Sequence, residues 1–165
     1  MKKMILTLLV ALPMSVFAQK FGHFNSADII QCMPEYAAVQ NRLQAISKEH
    51  ETQLQSMQDE LKLKADAYEK VKATMTDTQK QKREEELTEE YERISQYYQQ
   101  SKEDLERVQQ EERSKLFDKI DQAIEEIGKT GGYVYIMDTT AGIPYISKTL
   151  SVDVTKQLKK KLGVK

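Results

Sequence analysis

Pro34 and Gly128 enclose 93 residues that contain neither glycine nor proline. A run of that length without a backbone breaker is helix or disorder, and its apolar spacing argues for helix. In the first half a stripe reads Val39, Leu43, Ile46, then His50, Leu54, Met57, then Leu61, Ala65, Tyr68. Each trio recurs after 11 residues, about 3.67 per turn, the period of a nearly straight or slightly right-handed packed helix. In the second half Leu87, Tyr91, Ile94, Tyr98, Ser101, Leu105 and Val108 alternate steps of four and three. That is a heptad seam, which Leu116, Ile120, Ile124 and Ile127 continue. Glu, Lys, Gln and Arg fill the remaining positions and are good helix formers.

The seam weakens over residues 74–79, where strong helix formers thin out and Thr76 and Gln79 have capping-box spacing. A turn here changes the shape of the molecule. One helix of ~93 residues would span ~140 Å, whereas two arms of ~40 residues would each span ~60 Å. The flanks require the turn. Residues 20–25, KFGHFN, read as a strand; Tyr133–Met137 reads as a strong one; Thr139–Gly142 reads as a turn; and Ile143–Ile146 reads as a return strand, with Pro144 placing it at an edge. A single N-terminal strand is not stable alone, and a C-terminal hairpin is marginal. The two can complete one sheet only if the helical run doubles back. Ser26 is positioned to cap a short helix through Cys32, Pro34 suits the first turn of the long helix, and residues 154–162 read as a short basic terminal helix.

The expected fold is therefore α+β and mainly α. A small β body, residues 19–34 and 128–165, carries a long antiparallel coiled-coil hairpin, residues 35–127, with its turn near 74–79. Charged residues make up 31% of the chain and there is no Trp, so a large globular core is excluded. A three-stranded sheet under a polar hairpin buries too little on its own, and copies are expected to share a core.

Lys2 and Lys3, the apolar run Met4–Val16, and small residues at Val16 and Ala18 form the pattern of a cleaved signal peptide, residues 1–18. The run is too short to cross ~30 Å of hydrocarbon as a helix. The mature chain, 19–165, is then a single domain exported to the periplasm. Loss of the two lysines takes the formal charge from -1 to three negative, so nucleic acid is not an expected partner. Cys32 stands alone; it cannot form an internal disulfide and is expected to be a small buried side chain.

No catalytic constellation is present. His23 and His50 lie 27 residues apart without a cysteine partner, which is not metal-ligand spacing. The adjacent glycines 131 and 132 precede a strand rather than a helix, so they do not form a phosphate loop. No enzyme activity, cofactor or metal is expected. His50 reads as a half-buried break in the first-arm stripe.

Two terminal segments, KFGHFNSADIIQCMPEY at 20–36 and GGYVYIMDTTAGIPYISKTLSVDVTKQLKKKL at 131–162, resemble the Skp/OmpH family of periplasmic chaperones. The likeness rests on the Met-Pro-Glu-Tyr entry to the first arm, the Gly-Tyr and Asp of the strand, and the Asp-Val-Thr before a final helix. It covers essentially the whole mature chain. It implies a jellyfish-like homotrimer whose pooled strands form a body and whose three hairpins surround a cavity. It also implies a task, holding unfolded outer-membrane β-barrel proteins without ATP. Relatives of this kind are strongly basic and this chain is not, which puts peripheral membrane or lipopolysaccharide contact in doubt. The basic groups that remain are local: Lys70, Lys72, Lys80, Lys82 and Arg83 near the turn, and Lys156 with Lys159–Lys161 at the end.

Met57, Met75, Tyr97 and Tyr98 are the candidate client-binding residues, because Met and aromatic side chains suit contact with varied partners. Tyr68, Tyr91 and Tyr98 are expected to zip the arms together. Tyr97 and Tyr98 project ~100° apart on a helix and cannot both fit a narrow seam, so one of them faces the cavity. The competing reading is a secreted coiled-coil spacer or envelope adaptor, which would share the heptads and bind one defined partner.

Overall fold

The computed structural model describes residues 19–164; the expected leader, 1–18, lies outside the described residues. Strand β1, Lys20–Phe24, leads into helix α1, Ser26–Ile30. Asn25, not Ser26, caps that helix, its side chain accepting from the amides of Ala27 (2.9 Å) and Asp28 (3.2 Å). Helix α2, Pro34–Val71, begins with Pro34 in its first turn, where a missing N–H costs nothing. A single 3-10 turn, Lys72–Thr74, ends it. Thr76 then caps α3, Asp77–Gly131, in a reciprocal capping box with Gln79. Gly132 closes α3 at φ 65°, a conformation that favours glycine. Strand β2, Tyr133–Asp138, strand β3, Ser151–Asp153, and helix α4, Thr155–Leu162, complete the chain.

The sheet order is β2-β1-β3 and both pairings are parallel. The arms serve as the crossover that brings β2 beside β1, since parallel neighbours need a long connection. The expected return strand Ile143–Ile146 is not one. From β2 the chain must cross to the far edge of β1 to pair in parallel, and residues 143–150 are used for that crossing. The strand forms afterwards, with Phe21, Gly22 and His23 opposite Ser151, Val152 and Asp153. Pro144, which has no N–H, sits in the crossing.

One face of the sheet packs on helices. Phe24, Ile29, Met33, Leu116, Ile120, Ala123, Ile127, Val154 and Leu158 form the buried core, and Tyr133 and Ile136 pack against it. Ile29, Ile120, Val154 and Leu158 are fully buried, each contributing about 1.5–3 kcal/mol. Helix α3 is thus an arm helix for most of its length and a body helix in its last turns. Cys32 is half-buried rather than buried, with the Lys159 ammonium 3.1 Å from its sulfur.

Beyond the body, α2 packs along α3. The stripe Val39, Leu43, Ile46, His50, Leu54, Met57, Leu61, Ala65, Tyr68 is half-buried or buried throughout. Polar pairs join the helices: Arg42 with Glu112 at 2.6 Å, His50 with Asp104 at 3.4 Å, Lys64 with Glu90 at 2.8 Å, and Tyr68 with Glu84 at 2.6 Å. As residue numbers rise on α2, their partners' numbers fall on α3.

Candidate functional site

The two arms carry the candidate residues, and the seam decides which way each one points. On α3 the inward positions are Leu87, Glu90, Ile94, Tyr97, Ser101 and Val108. Tyr91 and Tyr98, expected in the seam, lie outside it, 67% and 50% exposed, while Tyr68 is 6% exposed and does join the arms. Leu87 and Ile94 can be bridged at the third or the fourth residue between them. Apolarity favoured Tyr91, but the helix turns Glu90 inward because Lys64 awaits it across the seam. One heptad on, the same phase brings Tyr97 in and leaves Tyr98 out.

Tyr97 meets His50. Its hydroxyl is 3.0 Å from Nδ1 and the rings stand edge to face at 5.9 Å. His50 Nε2 is shielded from solvent and lies 3.4 Å from Asp104 without an aligned hydrogen bond. Ser101, also buried, turns its hydroxyl back to the Tyr97 carbonyl at 2.7 Å. The middle of the arms is therefore held by polar contacts, a feature the sequence showed only as His50 and Ser101 interrupting the stripe. Tyr98 has Lys102 over its ring at 6.0 Å. Met57 is half-buried in the seam, and Met75 is half-buried at the turn.

Several carboxyls along the arms are held below their ordinary values. A hydrogen bond from Arg107 is the main cause at Asp104, with His50 adding to it. Lys64 does the same for Glu90, and Lys115 first, then Arg42, for Glu112. These groups stay ionised and serve as struts between or along helices. Among the described residues no three His, Cys, Asp or Glu side chains gather to hold a metal ion. His23 is a strand side chain, as expected, with Nδ1 2.8 Å from the Ser151 hydroxyl.

Long polar arms on a small body, with Tyr and Met scattered along them, define a protein with an extended surface rather than a single enclosed pocket. The chain belongs to the outer membrane protein (OmpH-like) family, whose sequence model matches residues 20–162. It is 32% identical over 156 residues to the chaperone protein Skp of Yersinia enterocolitica, covering 93% of this chain and 94% of that one. It is 30% identical over 144 residues to the chaperone protein Skp of Pectobacterium atrosepticum, covering 86% and 87%. An OmpH-like outer membrane chaperone structure from Caulobacter crescentus CB15 superposes with a TM-score of 0.73 at 17% identity, covering 87% of this chain and 83% of the other. That likeness extends the shared fold to a sequence far removed from this one.

Proposed function

We propose that the protein is an ATP-independent periplasmic holdase that keeps unfolded outer-membrane β-barrel proteins from aggregating. The observation that carries this reading is the pair of arms: about 40–55 residues each by the helix bounds, charged, with amphipathic side chains spread along them, in a chain that belongs to a family of outer membrane proteins whose curated relatives are named chaperones. The arms form an antiparallel coiled-coil hairpin, a reading supported by the opposed order of the cross-arm pairs. Three copies join through their sheets. In support, the sheet face turned away from the core exposes Tyr135 and Met137, and the crossing loop exposes Tyr145 (79%) and Leu150 (72%), four large side chains that line one groove a neighbouring copy would cover. Met57, Met75, Tyr97 and Tyr98 contact the client, Tyr98 most directly because its ring is open to solvent. Residues 1–18 are removed, and the mature chain starts at Gln19.

A spacer or adaptor would concentrate its binding energy in a few hot spots, whereas the candidate Met and Tyr side chains are spread along the arms from Met57 to Tyr98. The test is to dilute several unrelated unfolded β-barrel proteins into buffer with and without the purified protein, lacking ATP. Turbidity should stay low for all of them at about one trimer per client. Protection of one client alone would overturn the holdase reading in favour of an adaptor. Light scattering and the intact mass of envelope-extracted protein test the trimer and the Gln19 start.

A further inference from the structure

At the far end of the hairpin the seam opens into a notch. The small side chain of Ala67 leaves room beside Tyr68 in a cavity of about 550 Å³. Its apolar lining is Ala67, Tyr68, Val71, Met75 and Leu87. Val71 is 43% exposed at the edge of this space.

The turn aims Met75 into this space. The Thr74 hydroxyl donates to the Val71 carbonyl at 2.8 Å, and the Met75 amide donates to the Lys72 carbonyl at 3.3 Å. The Gln79 side chain accepts from the Thr76 amide at 2.9 Å. Met75, at φ -84° and ψ 148°, and the cap residue Thr76, at φ -69° and ψ 158°, are the extended residues that join these two anchored segments. A turn fixed on both sides of so short a link sets where the Met75 side chain goes. The side chain itself is an unbranched, polarisable thioether that adapts to different shapes.

The rim indicates what the notch accepts. Lys64 is bound to Glu60 and Glu90, and Arg83 to Glu86. Of the charges lining the notch only Glu89 lies outside these pairs, so an anionic guest would meet an acidic excess whose cations are already taken, while an uncharged one would meet the apolar floor. The Tyr68 hydroxyl is likewise occupied, donating to Glu84 at 2.6 Å.

We propose that this notch is a binding site for one uncharged apolar side chain, aromatic or aliphatic, of an extended unfolded chain. The inference rests on the holdase reading and sharpens it: three hairpins place three such sites at the mouth of the cavity. Each holds weakly, and together they detain a chain at the entrance through effective concentration.

The experiment labels the methionine ε-methyl groups and titrates the full-length mature protein with unstructured peptides of otherwise uncharged sequence, identical except for a central Phe, Leu, Ser, Lys or Glu. Phe and Leu should shift the Met75 methyl signal, leave that of Met33 in the body's buried core in place, and compete with one another. Ser, Lys and Glu should do neither. Ala67→Phe fills the notch from within and should remove the Met75 response and weaken capture of an unfolded β-barrel protein by about fivefold, as loss of a peripheral contact repeated three times does. Met75→Ser, which keeps the space but removes the thioether, should do the same to a lesser degree. Equal shifts with all five peptides, shifts at Met57 alone, or unchanged capture by folded Ala67→Phe protein would overturn the proposal. So would tip-to-tip association of the wild type in light scattering, which would make a second copy the occupant. If the wild type captured no client at all while Phe and Leu still moved Met75, the site would stand and the holdase reading would fall.

Discussion

Asp138 stands where β2 ends and ties three segments together. Its carboxylate accepts from the Ser26 amide at 3.2 Å, the Thr140 amide at 3.0 Å and the Thr140 hydroxyl at 2.7 Å, and that hydroxyl meets Ser26 Oγ at 2.9 Å. Burial pushes the carboxyl up, but the Ser26 and Thr140 hydrogen bonds outweigh it and hold it below its ordinary value. The stability it contributes is then complete above the unfolded value near ~4 and is lost as pH falls through the lower folded value. Asp138→Asn should cost about 1–2 kcal/mol at pH 7, and the gap to wild type should narrow as the pH is taken below the unfolded value in urea titrations followed by circular dichroism. Gly22 is constrained by packing. A Cβ there would lie 3.0 Å from Ile136 Cγ1 and 3.1 Å from the Tyr133 ring. Gly22→Ala should destabilise the body by about 1–3 kcal/mol in the same assay, and an unchanged midpoint would mean that the strands part easily at this point. Single residues were only partly legible from sequence. His50 was correctly placed as a half-buried break, but Tyr97 and Tyr98 could be told apart only by knowing that Glu90 and Asp104 have partners on α2. A charge in a seam reads as an error until the opposite charge is found across it.

Elements whose signals are local were read well. Pro34, the 74–79 turn, Tyr133–Asp138 and the terminal helix all carry their own caps, breakers or β-branched runs. The turn is the clearest case. Thr76 and Gln79 satisfy each other's backbone donors whatever lies elsewhere in the chain. Thr76→Ala should therefore weaken the start of α3 by about 1 kcal/mol, seen as faster amide exchange at residues 77–79 with little change in the body. A uniform rise in exchange along both arms would instead mean that the arms unfold as one unit. The strand expected at Ile143–Ile146 failed for the opposite reason. Strand pairing is decided by which edge is available, and the available edge belonged to β1, more than a hundred residues earlier in the chain. Hydrophobic alternation marks a segment fit for a strand and carries no information about direction, so a parallel crossing and an antiparallel return look alike.

At the scale of the molecule the chain exposes 13384 Å², where a compact globule of 19.1 kDa would expose about 8,400 Å². That excess belongs to a body with two long arms, and it follows from the Gly- and Pro-free run together with strands at both ends that need each other. Less visible in advance was the double duty of α3, whose Leu116, Ile120, Ala123 and Ile127 help form the body's core, so that the base of the arms is anchored by the same helix that carries one of them outward. The arms can therefore be shortened without touching the body. Excising residues 43–53 together with the facing 101–111 removes three turns, about 16 Å, from each helix, while leaving Arg42–Glu112 below the cut and Lys64–Glu90, Met57, Tyr97 and Tyr98 above it in place. If holding depends on an enclosed volume with many weak contacts, this variant should protect a small β-barrel client nearly as well as wild type and a large one at least about tenfold less well, because effective concentration falls once the arms no longer span the client. Tyr98→Ala, by contrast, should weaken capture of both by ~1 kcal/mol or less, as one peripheral contact does. Should the shortened arms hold large clients unimpaired while Tyr98→Ala released them, binding would reside in a hot spot on α3 and the enclosing-arm account would be wrong.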